Sequence, residues 1–563
     1  MLQLPAELVL KVLSYLSLSD LAKFLLISKE WKEFVDLNEV AIFHCAAFLH
    51  DFIPSRTTPY SEVERMYTER SLKNVPKGDW KAFGRRRLWI KQAWMGRRPN
   101  YNLEHIATGL EVHRIKVDED EGIVIVTTQD GNLIVSGFEA TDGDPLWALP
   151  EDQIREFAHC EYEKGYLIFD RYTGEREVWR LSSHCARDTS ETEVVDDSKP
   201  DDRQLRCHES SLRQFPTTTR GHFTPWAILR TDHHAHASRF VYPTLLVTSW
   251  DQAFLYNVPT GELVQVIDTL QAAPGASPSG DPSLGTIFYV EQSARHVFAC
   301  GMLGIRIWSK ETGRAIMDIS SLQSKFGNWF YMMEPMIEES PSNSWSHRQE
   351  LVEYPVRSIH ASERREHQIE ERFISAHVSS CGKHLAALTV SSKLVIVIDF
   401  EKVVPNAEGT QDTLQSHTLE IQLGSPIRGA RYLAFDHGRV AACTDSGIYV
   451  IHPSFTLSND PTSPPPLRLA RLPFFKELNL LASISCLQMS ETGLFFNWGT
   501  SSDLGEVHIP ETEDELFQNL RDYSQALEKQ NGLRTLLRQR IMLPDGPAES
   551  STVWSINFVP LHV

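Results

Sequence analysis

Leu4-Pro5-Ala6-Glu7-Leu8 begins, and Ser28-Lys29-Glu30-Trp31-Lys32-Glu33-Phe34-Val35 ends, the stretch on which the reading of this chain turns. Pro5 stands where a helix would start, because its fixed φ and missing N–H suit a first turn. Behind it Leu8, Val9, Val12, Leu13 and Leu16 recur at helical spacing, which makes one stripe apolar. Ser19 is the expected cap of a second helix, with Asp20 set against its positive end. That helix carries Leu21, Phe24, Leu25 and Ile27. Ser28 is placed to cap a third, which presents Trp31, Phe34 and Val35.

Three short amphipathic helices bury little. Units of roughly 40 residues do not stand alone without a metal, a disulfide or a partner. Cys45 is the only cysteine nearby, so neither a staple nor a zinc site is at hand. The apolar stripes must be covered by the rest of the chain or by another protein, and we expect another protein for the first helix and the edge of the second. Here the residues carry a resemblance. Leu4-Pro5-x-Glu7-Leu8, Val12-Leu13-Ser14-Tyr15-Leu16, Asp20-Leu21 and Ile27-Ser28-Lys29-Glu30-Trp31 resemble the F-box motif throughout its length. The resemblance implies docking on the Skp-type adaptor of Skp–cullin–F-box ubiquitin ligases, and through it on cullin and RING subunits. The adaptor-binding residues would be Leu4, Pro5, Leu8, Val12, Leu13, Leu16 and Leu21.

Outward from this stretch, residues 38–52 read as a long apolar helix, and the polar residues 54–78 include a short helix around Glu62, Glu64 and Glu69. Residues 79–99 are rich in both tryptophan and arginine. Trp89, Ile90, Ala93 and Trp94 share one helical face, and Arg85, Arg86 and Arg87 read as its solvated surround. A helix of this kind ending in Trp-x-Gly resembles the linker between F-box and propeller in F-box/WD-repeat proteins. The expected organisation is an all-α F-box domain over residues 1–50 and a helical linker over 51–100. An all-β, seven-bladed, WD-repeat-like propeller follows over 101–563.

The period changes after Asn100. Short β-rich runs, each led by a glycine or polar turn, recur at roughly 40 to 55 residues, the signature of propeller blades. Gly122-Ile123-Val124-Ile125-Val126, Gly165-Tyr166-Leu167-Ile168-Phe169, Thr244-Leu245-Leu246-Val247 and Gly438-Arg439-Val440-Ala441-Ala442 are examples. Ser379-Ser380-Cys381-Gly382-Lys383-His384-Leu385 looks most like a WD repeat. No single copy can bury both its faces, so the copies must stack around an axis. Insertions interrupt the pattern at about 187–203 (acidic, expected to be a disordered loop), 272–284 and 338–372, the last with a helix over 363–371. Another helix is expected over 513–530. Residues 553–559 are expected to help close the ring with the first blade.

The 563 residues carry a formal net charge of −19, with 41% hydrophobic and 23% charged residues. That charge argues against a nucleic-acid or anionic-membrane partner. The 8 scattered cysteines, with no Cys-x-x-Cys, read as reduced thiols of the cytosol or nucleus. No nucleophile elbow, Walker loop or His-Glu-x-x-His helix is present, so neither catalytic residues nor a cofactor are expected. His233-His234-x-His236 matches no defined metal spacing. The function expected is recognition without catalysis, the propeller holding a protein target for ubiquitination. The resemblance implies a further expectation, because some F-box propellers similar to this one hold phosphorylated peptides on clustered arginines, which bond phosphate through two parallel charge-assisted bonds. Arg114, Arg306, Arg428 and Arg431 are the candidates here. The alternative is a propeller scaffold for protein–protein interaction with its helices as a lid.

Overall fold

The computed structural model describes residues 4–560 except 99–101, 108–110, 139–144, 150–152, 186–192, 216–219, 232–236, 272–283, 324, 335–349, 365–370, 404–410, 427–428, 456–462 and 500–551. The chain opens with helices α1 (Ala6–Leu13), α2 (Leu18–Phe24), α3 (Lys29–Leu37) and α4 (Glu39–Leu49). The short α5 (Tyr60–Met66) and α6 (Glu69–Leu72) follow, and then α7 (Trp80–Trp94). Ser28 caps α3, accepting from Trp31 N at 3.2 Å. The cap of α2 is Ser17 rather than Ser19: its Oγ accepts from Asp20 N (3.1 Å) and donates to the Asp20 carboxylate (2.7 Å). A serine three residues before a carboxylate satisfies an orphan N–H and locks the carboxylate at the helix start, which Ser19 has no means to match.

Val9, Leu13, Leu18, Leu21, Val35, Ile42, Phe43, Ala46, Trp80 and Phe83 form one helical core in which α4 and α7 are the central pieces. Gly84 lets α7 close on α2, since a Cβ there would stand 3.0 Å from Leu18 Cδ2. The far half of α7 belongs to a second core. Ile90, Ala93 and Trp94 are buried with Leu481, Phe496 and Phe558 of the β region. A single helix therefore spans both parts.

Seven antiparallel sheets follow, arranged as a seven-bladed propeller. Their innermost strands are Val112–Asp118, Cys160–Glu163, Ala237–Val241, Ile287–Gln292, Phe373–Val378, Ala430–Asp436 and Leu487–Met489, which define blades one to seven and touch one another around the axis. The second strand of each blade is buried on both faces (Ile123–Thr128 and Leu385–Thr389 along their whole length), as expected when each blade is stacked between two others, while the innermost strands along the channel are in large part half-buried. The ring closes within blade seven. Strand Thr552–Asn557 lies between Gly493–Trp498 and the early strand Asn102–Ala107, with Asn102 opposite Asn557. The closing strand thus does not join the first blade, which is complete from its own four strands; the early strand reaches back instead.

Two insertions are more ordered than their composition suggests. In the described part of the acidic segment, Ser198 donates to Gly261 O (2.8 Å), and Asp201 both caps helix Asp202–Gln214 and pairs with Arg171 (2.7 Å). Asp201 thus helps to neutralise a buried arginine, whose bonds hold its carboxyl down to about 2, while Asp196, Asp197 and Asp202 stay exposed. The described part of residues 338–372 is mainly strand. Val352–Tyr354 extends blade six, and Val356–His360 lies outside Trp329–Met333, which runs parallel to Thr418–Gln422 in blade five. A 3-10 turn, Ala361–Glu363, reaches the start of the helix expected over 363–371, most of which lies outside the described residues. The helix expected over 513–530 and His233, His234 and His236 lie outside the described residues.

Candidate docking sites

Helix α1 has two apolar stripes. One, with Val9 and Leu13, is 2% exposed and faces the helical core. The other carries Leu4 (45% exposed), Pro5, Leu8 (53%), Val12 (45%) and Tyr15 (63%), spaced by three or four residues and bare. After α2, Leu26 (85%) and Ile27 (63%) add two more uncovered side chains. A helix apolar on all sides is ordinarily buried on all sides; this one has a covered half and an open half. Of the residues expected to dock, Leu4, Pro5, Leu8 and Val12 lie on the open half, and Leu16 is half-buried at its margin. Leu13 and Leu21 are corrected: at 2% and 0% exposure they hold the helices together and have no surface to offer. Tyr15 escaped the sequence reading although it continues the Leu8–Val12 spacing.

Arg85, Arg86 and Arg87 are also reassigned. Only Arg85 is exposed. Arg86 is 1% exposed and donates to Ser71 O (2.5 Å) and Arg70 O (3.0 Å), satisfying carbonyls at the end of α6, and to Pro560 O (3.4 Å) beyond the closing strand. Burial takes it down to about 10. Arg87 pairs with Glu491 and lies 4.1 Å from the centre of the Tyr67 ring. Thr68 Oγ1 reaches Glu119 and Glu491, each at 3.4 Å. Glu119 and Glu491 sit just beyond the ends of the innermost strands of blades one and seven. The helices therefore rest on the face where inner strands leave the channel, and the face where those strands enter is turned away from them.

Residues 1–42 match the F-box domain. No curated protein matches the chain. The chain thus joins an N-terminal F-box domain to a seven-bladed propeller, and the bare half of α1 lies within the matched residues.

The propeller axis is crossed by a compensated belt of charges. Lys116 pairs with Glu161 (3.1 Å), Arg239 with Glu161 (3.5 Å) and Glu291 (2.9 Å), and His377 with Glu291 (3.0 Å), linking blades one to five. Tyr289 adds a bond to His377 at 2.9 Å. Burial pulls Arg239 down, but Glu291 and Glu161 more than offset it, and the arginine is held well above its ordinary value. Among the described residues no cluster of His, Cys, Asp and Glu is placed to hold a metal.

The four candidate arginines separate. Arg306, 2% exposed, is locked to Asp318 (2.6 and 3.0 Å) and Leu270 O, so it is a fixture of blade four and drops out of the set. The pairing was within reach of the sequence, since Asp318 is its cross-strand neighbour in a hairpin. Arg431 makes a two-pronged pair with Asp445 (2.5 and 3.1 Å) at the rim. Arg428 lies outside the described residues. Arg114 alone of the three described has no carboxylate partner. It lies near the entry end of blade one's innermost strand, donating to His113 O (2.9 Å) and Ser485 O (2.6 Å), with Nη2 3.2 Å from His159 Nε2 and Tyr432 5.8 Å beneath the guanidinium. The structure therefore does not gather the nominated arginines into one pocket.

Proposed function

We propose that this chain is the target-recognition subunit of a Skp–cullin–F-box ubiquitin ligase. Its F-box docks on the Skp-type adaptor, which brings cullin and RING subunits, and its propeller holds the protein target. The observation that carries the reading is the uncovered stripe Leu4–Leu8–Val12–Tyr15 on a helix whose other side is fully packed. Its contribution to ubiquitin transfer is proximity. A target lysine held near the charged carrier experiences a raised effective concentration, and no group of this chain needs to touch the reacting atoms. The contacts of Thr68 and Arg87 with Glu119 and Glu491 support this role, because they leave the entry face on the side opposite the helices. The chain works in the cytosol or nucleus, where its free thiols remain reduced.

Co-expression with a Skp-type adaptor tests this. The intact chain should co-purify with the adaptor, and Leu8→Glu with Val12→Glu should abolish co-purification while the melting temperature stays unchanged. Adaptor retained at full yield by that variant would overturn the docking face. No complex with the intact chain would leave the scaffold with a helical lid.

A further inference from the structure

The outer strand of a blade turns one row of N–H and C=O groups away from the ring, and proteins ordinarily shorten, charge or cover such an edge. Five blades here show these devices. Blade one's outer strand is only Trp147–Ala148, and Ser211 of helix Asp202–Gln214 donates to Ala148 O (2.9 Å). The same helix lies against Phe223–Leu229 of blade two. Blades five and six are extended by Trp329–Met333 and Val352–Tyr354, and blade four exposes Asp318 in mid-strand.

Blade three has only a bulge. Its strand Glu262–Ile267 ends the sheet, and no described strand pairs with its outer edge. Leu263, Val264 and Val266 are exposed along it. Leu263 stands opposite Tyr256 and Val266 opposite Phe254, while the register shifts at Val264, the extra residue of the bulge. Gln265 donates to Lys310 O (2.7 Å) and holds the strand against blade four. The edge is thus firmly placed, apolar and bare.

Its ends are acidic. Val195 N donates to Thr260 O (2.9 Å) and Ser198 Oγ to Gly261 O (2.8 Å), which brings a neighbouring segment to the start of the strand. Four exposed carboxylates, Glu193, Asp196, Asp197 and Glu262, stand there against two cations, Lys199 and Arg230, and the exposed Asp268 follows the strand's end. This pattern disfavours a second copy of the chain. Twofold antiparallel pairing over residues 262–267 would set Glu262 opposite Ile267 and beside Asp268 of the other copy at both ends, with the two bulges nearly facing, and like charges across a sheet are destabilising.

We infer that the outer edge of blade three takes up an extended segment of another protein as a fifth strand, one with alternating β-branched residues between basic flanks. Main-chain bonds along the edge supply affinity, and contacts with Leu263, Val264 and Val266 and with the acidic ends supply selection. The site lies on the rim, away from the channel and from α1, and it does not rest on the ligase reading.

The test uses the full chain and a nine-residue peptide of alternating valine and threonine between lysine pairs. Two further peptides carry glutamate pairs instead, or N-methyl groups on alternate residues that remove the donors of a ladder. The lysine-flanked peptide should bind one to one in calorimetry, about tenfold tighter than the glutamate-flanked one, and the N-methylated peptide should not bind. Leu263→Ser with Val266→Ser should weaken binding about tenfold with the melting temperature preserved, and Glu262→Gln with Asp268→Asn should bring the two charged peptides together. No binding of the lysine-flanked peptide, or equal binding of its N-methylated form, overturns the inference. Sedimentation of the chain without peptide adds an independent arm: a dimer that Leu263→Ser with Val266→Ser dissociates would give the edge to a second copy and overturn it too.

Discussion

Helices α1 and α7 invert the usual relation between composition and burial. Helix α1 has Glu7 and Lys11 as its only charges and leaves Leu8 half open to water. Helix α7 carries Lys81, Arg85, Arg86, Arg87 and Lys91, yet it is deeply embedded, with Arg86 as buried as Ile90. The difference teaches that burial follows what can be satisfied locally. Arg86 meets three carbonyls and Arg87 a carboxylate, which removes the cost of leaving water. The open stripe of α1 meets nothing among the described residues of its own chain.

The contrast can be broken at its strongest point first. Arg86→Ala should destabilise the protein by about 4 kcal/mol, because several charge-assisted bonds and the packing of a long stem are lost together. Chemical denaturation would register it, and a change below about 1 kcal/mol would mean that α7 tolerates empty carbonyls. Next comes a pair on one helix. Leu13→Ala should cost about 3 kcal/mol of stability, while Leu8→Ala should leave stability within about 0.5 kcal/mol and weaken adaptor affinity by about 2 kcal/mol, some thirtyfold. Calorimetry of both variants separates the two stripes, and equal effects on stability would erase the distinction between them.

A titration sharpens the α7 side. His452 Nε2 lies 2.9 Å from Trp94 O, and burial takes the ring down to about 3. The folded histidine therefore stays neutral where the unfolded one, near 6.5, takes a proton. The unfolded state binds more protons below that value, so stability is full above about pH 6.5 and falls as the pH drops toward 3. The loss between pH 7 and 5 should be about 1–2 kcal/mol, and His452→Gln, which can still donate to Trp94 O, should remove it. The smallest effect belongs to Arg85→Ala, within about 0.5 kcal/mol, since that arginine alone of the three is exposed.

Much of this architecture could be read in the residues. Helical spacing located α1 to α4, and the recurring glycine-led strands gave seven blades, because these patterns are local and repeat. What escaped depended on distant chain. Nothing near Arg86 announces that Ser71 and Pro560 will bring carbonyls to it. Leu8 and Leu13 are equally apolar and equally well spaced, and only the arrival of α4 and α7 decides which one is covered. The strand Trp329–Met333 lies parallel to a partner some ninety residues later in a fold built mostly from adjacent hairpins, so no turn signal marks it. Asp201 reads as one more solvated acid until Arg171 is found against it.

Blade seven ties early chain to late chain, and that has a consequence for synthesis. The strand Asn102–Ala107 leaves the ribosome long before Thr552–Asn557 and has no other partner in its sheet. While the intervening residues are being translated, a nearly complete toroid carries an unpaired edge at the seam. A nascent chain at this stage is a natural client for chaperones, and a premature stop upstream of residue 552 would produce a protein with an exposed α1 stripe and a ring that never seals.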